Sequence, residues 1–177
     1  MRIFTKTSMF SLFQKSLLSL FFISFSFTGS SQTSISGIVN SYASVISMNA
    51  GACDPCDANC TDTITVSDSA SFSADDKALI IQMKGADLDT TNSSSGGSVT
   101  AINQAGNYEF FEIESISGNT ITLKYPLVRS YNFSGQVQIV KIPNYNEVNI
   151  TDTLTAPDWD TATGTGGVVA LSAEQIT

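Results

Sequence analysis

The run YEFFEIESISGNTITLKYPL, residues 108–127, constrains the fold more than any other stretch of the chain. Ser117, Gly118 and Asn119 form a turn signal between two segments of strand length. On the second segment Ile121, Leu123 and Tyr125 share one face, and Thr120, Thr122 and Lys124 share the other. This is a β-hairpin pattern, and the segments around it repeat its logic. In TITV, residues 63–66, Ile64 and Val66 fall on one side. ALIIQMKG is a near-continuous apolar run closed by Gly85, and QVQIVKIP is a further strand that Pro143 ends or confines to an edge. After residue 31 no stretch keeps the i, i+3, i+4 apolar spacing over the ten or so residues that a helix needs. The best rival is SADDKALIIQ, with Ser73 placed to cap and Asp75 and Asp76 in the first turn, but its isoleucines favour a turn followed by a strand. The expected class is all-β, with a small β-barrel or sandwich-like domain.

Residues 1–31 differ from the rest. Arg2, Lys6 and Lys15 precede an apolar run over residues 17–27, which is too short to span a bilayer as a helix. A basic flank, a short apolar run and the small residues Gly29 and Ser31 predict a secretory signal peptide cleaved after Ser31. The protein is therefore expected outside the cell or on its surface, with no membrane span after cleavage. Three of the eight Lys and Arg lie in residues 1–31 and none of the sixteen Asp and Glu, so the remainder carries −11 against −8 for the whole chain. Nucleic acid and anionic membrane surfaces are excluded as partners, because both need clustered cations.

The stretch GACDPCDANC, residues 51–60, holds all three cysteines, Cys53, Cys56 and Cys60. In an oxidising compartment such thiols pair where geometry allows. Three sulfurs and no histidine do not make a closed zinc site, and nothing around Cys53 and Cys56 reads as the helix start of a redox motif. A disulfide is expected, Cys53–Cys60 or Cys53–Cys56, at about 2–3 kcal/mol for either. One sulfur is left over. Asp54, Asp57, Asn59 and Asp62 crowd oxygen donors into the same region, although their spacing is not that of an EF-hand. No metal or other cofactor is expected, with calcium the one ion these donors would admit.

Two further stretches could carry a site. GADLDTTNSSSGGSVTAINQAGN is a long polar segment between strands, in which Asp87, Asp89 and Asn92 could hold a cation or hydrogen-bond a sugar; a flexible surface loop is the simpler reading. In APDWDTA, Asp158 and Asp160 flank Trp159, the arrangement of two acids and an aromatic that a glycosidase uses. Acids spaced so closely are a weak signal, with a packed tryptophan and solvated acids as the alternative. Serine or cysteine catalysis has no histidine base anywhere in the chain.

Beyond Pro143 the apolar centres Val148 and Val168 of two strand-like segments sit twenty residues apart, a spacing compatible with one coil of a right-handed parallel β-helix. Since coils bury their apolar faces only by stacking, the pattern running to Thr177 is expected to continue in a longer protein. The expected division is a signal peptide over 1–31, a segment with the cysteine loop over 32–62, a small β-domain over 63–143, and the start of a β-helix or repeat stack over 144–177.

The order of LIIQMKGA, AGNYEF and TLTAPDWD…TGGVVAL resembles the N-terminal region of large adhesin-like or gliding-motility-associated surface proteins of Bacteroidota, cargo of type 9 secretion. The likeness covers roughly residues 37–177. It departs at Asp75-Asp76, where Gly-Asp is expected, and in the added Cys53–Cys56 pair. It implies a β-domain ahead of a Gly-rich stalk and carries over no catalytic residue. The resulting expectation is a non-enzymatic binding or structural module for attachment or gliding, with extracellular polysaccharide, a surface or other cell-envelope proteins as partners. The alternative is a polysaccharide-binding or polysaccharide-degrading β-helix protein.

Overall fold

A computed structural model describes residues 32–49 and 62–177. The cysteine loop and the leader-like segment therefore lie outside the described residues. Eleven strands and one short 3-10 turn follow in order: β1 (Thr33–Ile38), β2 (Tyr42–Asn49), β3 (Thr63–Val66), β4 (Lys77–Gln82), β5 (Asp87–Leu88), β6 (Val99–Ala101), β7 (Tyr108–Ser117), β8 (Thr120–Leu123), the turn Phe133–Gly135, β9 (Val137–Ile142), β10 (Asn144–Thr155) and β11 (Ser172–Ile176). The chain is all-β, as its alternation predicts.

Six strands close a barrel in the order β2-β3-β8-β7-β4-β9, every pair antiparallel. Alternation fills its interior: Ile64 and Val66 from β3, Ile121 and Leu123 from β8, and Phe111 and Ile113 from β7 point inward. The β7–β8 hairpin turns at Gly118 and Asn119 as expected. Register shifts within β2 and β7 bend these strands and help the sheet to close on itself. Buried Gln82 lies at one end, donating to the carbonyls of Lys84 and Asn103 and accepting from Asn132 N–H. Gly135 packs beside it so closely that a Cβ there would overlap both Gln82 and the Lys84 carbonyl.

The barrel takes β2 from the segment ahead of residue 63, whereas β1 joins another sheet. That sheet is three-stranded and parallel, in the order β1-β10-β11, and Pro143 marks the junction between it and the barrel. Val148 pairs with Ile176 and Asn144 with Ser172, so successive layers are offset by 28 residues. Val168 belongs to neither strand. It packs with Ala170 against Leu79, Val140 and Ile142 on the outer face of β4 and β9. These two strands are thus covered on both faces, which explains why β4 reads as a near-continuous apolar run rather than an alternating one.

Candidate functional site

Beta strand β7 presents opposite faces to core and solvent. Phe111 and Ile113 enter the barrel, while Tyr108, Phe110 and Glu112 face outward by the period of two. Tyr108 is 53% exposed and Phe110 68%, with ring centroids 6.2 Å apart and planes crossing at 79°. Tyr125 stands nearby at 67% exposure. Its sequence pattern placed it inward with Ile121 and Leu123, but β8 ends at Leu123, and the chain beyond is free of the strand alternation.

These three rings line a groove of about 1070 Å³ between the outer surface of β4 and β7 and the segment Val169–Ala173. Leu79, Ile81 and Ile142 supply part of its apolar lining, and Lys77 and Glu112 are its charged side chains. Lys124 donates to Glu112 at 2.8 Å. That hydrogen bond, the Lys124 charge and a smaller contribution from Lys77 hold the Glu112 carboxyl below the usual carboxylate range; Glu112 in turn raises Lys124. Exposed aromatic surface beside opposite charges makes this groove the candidate binding surface.

The residues expected from sequence lie elsewhere. Asp87 and Asp89 sit on or beside the small antiparallel β5–β6 pair, so the polar segment folds as a hairpin. Asp87 accepts from Asn103 Nδ2 at 2.6 Å. Asp89 accepts from Thr91 N–H at 2.9 Å and Ser95 Oγ at 2.7 Å, and these bonds lower its pKa. Asn92 is exposed in the same hairpin loop. Among the described residues no group of three or more Cys, Asp or Glu is placed to hold a metal ion. Buried Asp62 accepts from Leu127 N–H at 2.8 Å, anchoring the segment after β8. Cys53, Cys56 and Cys60 lie outside the described residues.

The Asp158–Trp159–Asp160 stretch leads into a turn over residues 161–164, closed by the bridge between Asp160 and Thr165. Asp160 accepts from Ala162 N–H at 2.8 Å and Thr163 Oγ1 at 2.9 Å, and these bonds depress its pKa. Trp159 is half-buried beneath the Lys84 ammonium, 6.0 Å from its ring. Tyr108, Phe110 and Tyr125 were the aromatics that sequence reasoning passed over. The signal was present in YEFFEI, where two large rings alternate outward from two core residues.

The fold defines an all-β protein in which a small closed barrel carries a parallel three-stranded sheet. No family model and no curated protein matches the chain. It is similar in structure to three bacteriophage tailspikes. Gp54 of Acinetobacter baumannii phage AP22, solved in complex with A. baumannii capsular saccharide, shares 18% identity at a TM-score of 0.37, over 66% of this chain and 17% of that one. Gp49 of Pseudomonas phage LKA1 shares 21% at 0.32, over 71% and 20%. Gp61 of Pseudomonas phage phi297 shares 12% at 0.35, over 75% and 18%. The chain thus spans at most a fifth of the length of these proteins. The expectation of a chain without enzymatic activity is corrected by these neighbours: the solved chains that this one is similar to are tailspikes, and the non-enzymatic assignment is withdrawn. Among the described residues no helix is long and apolar enough to cross a membrane.

Proposed function

We propose that this domain binds polysaccharide outside the cell, and that the groove beside Tyr108, Phe110 and Tyr125 receives it. The observation that carries the reading is the exposure of three aromatic rings along one groove whose rim holds both an ammonium and a carboxylate. Sugar rings offer apolar C–H faces that stack on aromatics and hydroxyls that pair with charged and main-chain groups. The reading agrees in kind with the tailspike solved with capsular saccharide, but it rests on the groove. Extracellular placement is supported by the leader-like residues 1–31.

In the same reading the domain is the front of a longer surface protein of the adhesin-like kind it resembles. The parallel strands β10 and β11, offset by 28 residues and flanked by β1, are then the first coil of a β-helix-like stack. Affinity electrophoresis of the purified chain through gels containing soluble polysaccharides tests the binding. Retardation in at least one gel, weakened by Tyr108→Ala and Phe110→Ala, is expected. Equal mobility in every gel would remove the function assigned to the groove.

A further inference from the structure

Resting on that assignment, we infer that the groove accepts a single soluble chain of uncharged sugars, neither a flat polymer surface nor a polyanion. The first half comes from ring geometry. Tyr108 and Phe110 stand at 79° to one another with centroids 6.2 Å apart. Two perpendicular rings cannot both lie against one plane, so a crystalline face meets one ring by its face and the other by its edge. A single glycan chain entering the groove can present a sugar face to each ring in turn, because consecutive residues rotate about the glycosidic bond.

The second half comes from charge. The lining contributes one ammonium, Lys77, and one carboxylate, Glu112, whose charge is already engaged by Lys124. Glu109 has the inward parity of Phe111 and Ile113 on β7 and is held by Val128 N–H, Arg129 N–H and the Tyr131 hydroxyl, so it adds no charge to the groove. Lys141, the cation on β9, is paired with Asp76 at 2.7 Å and does not line the groove. One lysine can meet one uronate, but a polymer charged at every residue brings many charges to a chain of net −8, or −11 after residue 31. Within a Debye length of about 8 Å at physiological salt, that repulsion is not offset by a row of cations.

The test measures binding of the purified chain to soluble neutral polymers (dextran, mannan, laminarin, xyloglucan), to soluble polyuronates (alginate, polygalacturonate) and to microcrystalline cellulose and chitin. The expected result is binding to at least one neutral soluble polymer, weakened about tenfold or more by Phe110→Ala and insensitive to added salt, with little binding to the other two groups. Tighter binding to polyuronates, dependent on Phe110, would keep the saccharide function and overturn the neutral assignment. Phe110-dependent adsorption to the crystalline polymers would overturn the single-chain assignment in the same way. Binding to none of them overturns both, as does a dimer seen by light scattering that Phe110→Ala dissociates, since the groove would then be an interface between copies. Thermal melting of the variant confirms that it is folded.

Discussion

Gln138 and Gly166 exchange two hydrogen bonds: the buried carboxamide donates to the Gly166 carbonyl and accepts from its N–H, each at 2.9 Å. A side-chain amide on β9 thus does for this loop what a neighbouring strand would do. The device recurs along the same segment. Asn40 accepts from Ala170 N–H at 3.1 Å and donates to the Ala170 carbonyl, and the Tyr42 hydroxyl donates to the Val168 carbonyl at 2.6 Å. Three polar side chains thereby meet residues 166, 168 and 170 in step with an extended backbone, and the docked segment continues into β11 and one wall of the groove.

Replacing Gln138 by Leu is expected to leave the Gly166 N–H and carbonyl buried without their partner. At about 1–3 kcal/mol for each of the two stranded groups, the loss should be roughly 2–6 kcal/mol. Urea denaturation measures it as a lower midpoint at unchanged slope. A change within about 0.5 kcal/mol, the scale of an ordinary surface substitution, would mean that the carboxamide does not hold the segment.

Gly166→Ala should damage the same docking from the other side. Its φ is +103°, and an added Cβ would lie 2.6 Å from the Asp158 carbonyl oxygen and 3.0 Å from that of Pro157. Both obstacles are main chain, so the turn itself must move, at a cost of about 1–3 kcal/mol. Combined with Gln138→Leu the losses should fall short of additive, because the two changes undo one contact. Full additivity in a double-mutant cycle would separate the strain from the docking.

The acid sensitivity of this region should trace in part to Asp160. Hydrogen bonds from Ala162 N–H and Thr163 hold its carboxyl below the usual carboxylate range. A depressed carboxyl stabilises the fold fully above its unfolded pKa, and that contribution disappears as pH falls through the lowered folded value. Melting curves of Asp160→Asn and the parent should therefore differ most at neutral pH and converge only at a pH well below the usual carboxylate range. Parallel curves down to that pH would show that the charge does not support the turn.

How much of this was legible in sequence depended on how local each relationship is. The β7–β8 hairpin was readable because its turn and both faces lie within one short stretch. Doubly covered β4 was readable as a near-continuous apolar run and β9 as a further strand, although what covers them was not. Pairing of Thr33 with Val148 was invisible, since parallel partners so distant leave no turn signal. Val168 looked like the centre of a second coil because its apolar neighbours resemble a strand. Gln138, Tyr42 and Asn40 instead hold that segment on the barrel wall, and the true partner of Val148 is Ile176. Tyr125 kept the parity of a strand that had already ended, so a groove residue was grouped on one face with Ile121 and Leu123.

Phe110 and Phe111 offer the sharpest separation of function from stability, because adjacent residues of one type face opposite sides of the barrel wall. Phe111 is 8% exposed and packs in the core, whereas Phe110 is 68% exposed in the groove. Phe111→Ala should cost about 3–5 kcal/mol through lost burial and the cavity left behind. Phe110→Ala should change stability by no more than about 0.5 kcal/mol, as expected of an exposed site. Its effect should fall on saccharide affinity, with a loss of about tenfold or more, or ~1.4 kcal/mol, as for an aromatic anchor. Denaturation midpoints and affinity electrophoresis on the two variants give both quantities. If Phe110→Ala lowered stability as much as Phe111→Ala, the ring would be part of the fold, and the groove would lose its strongest claim to a ligand.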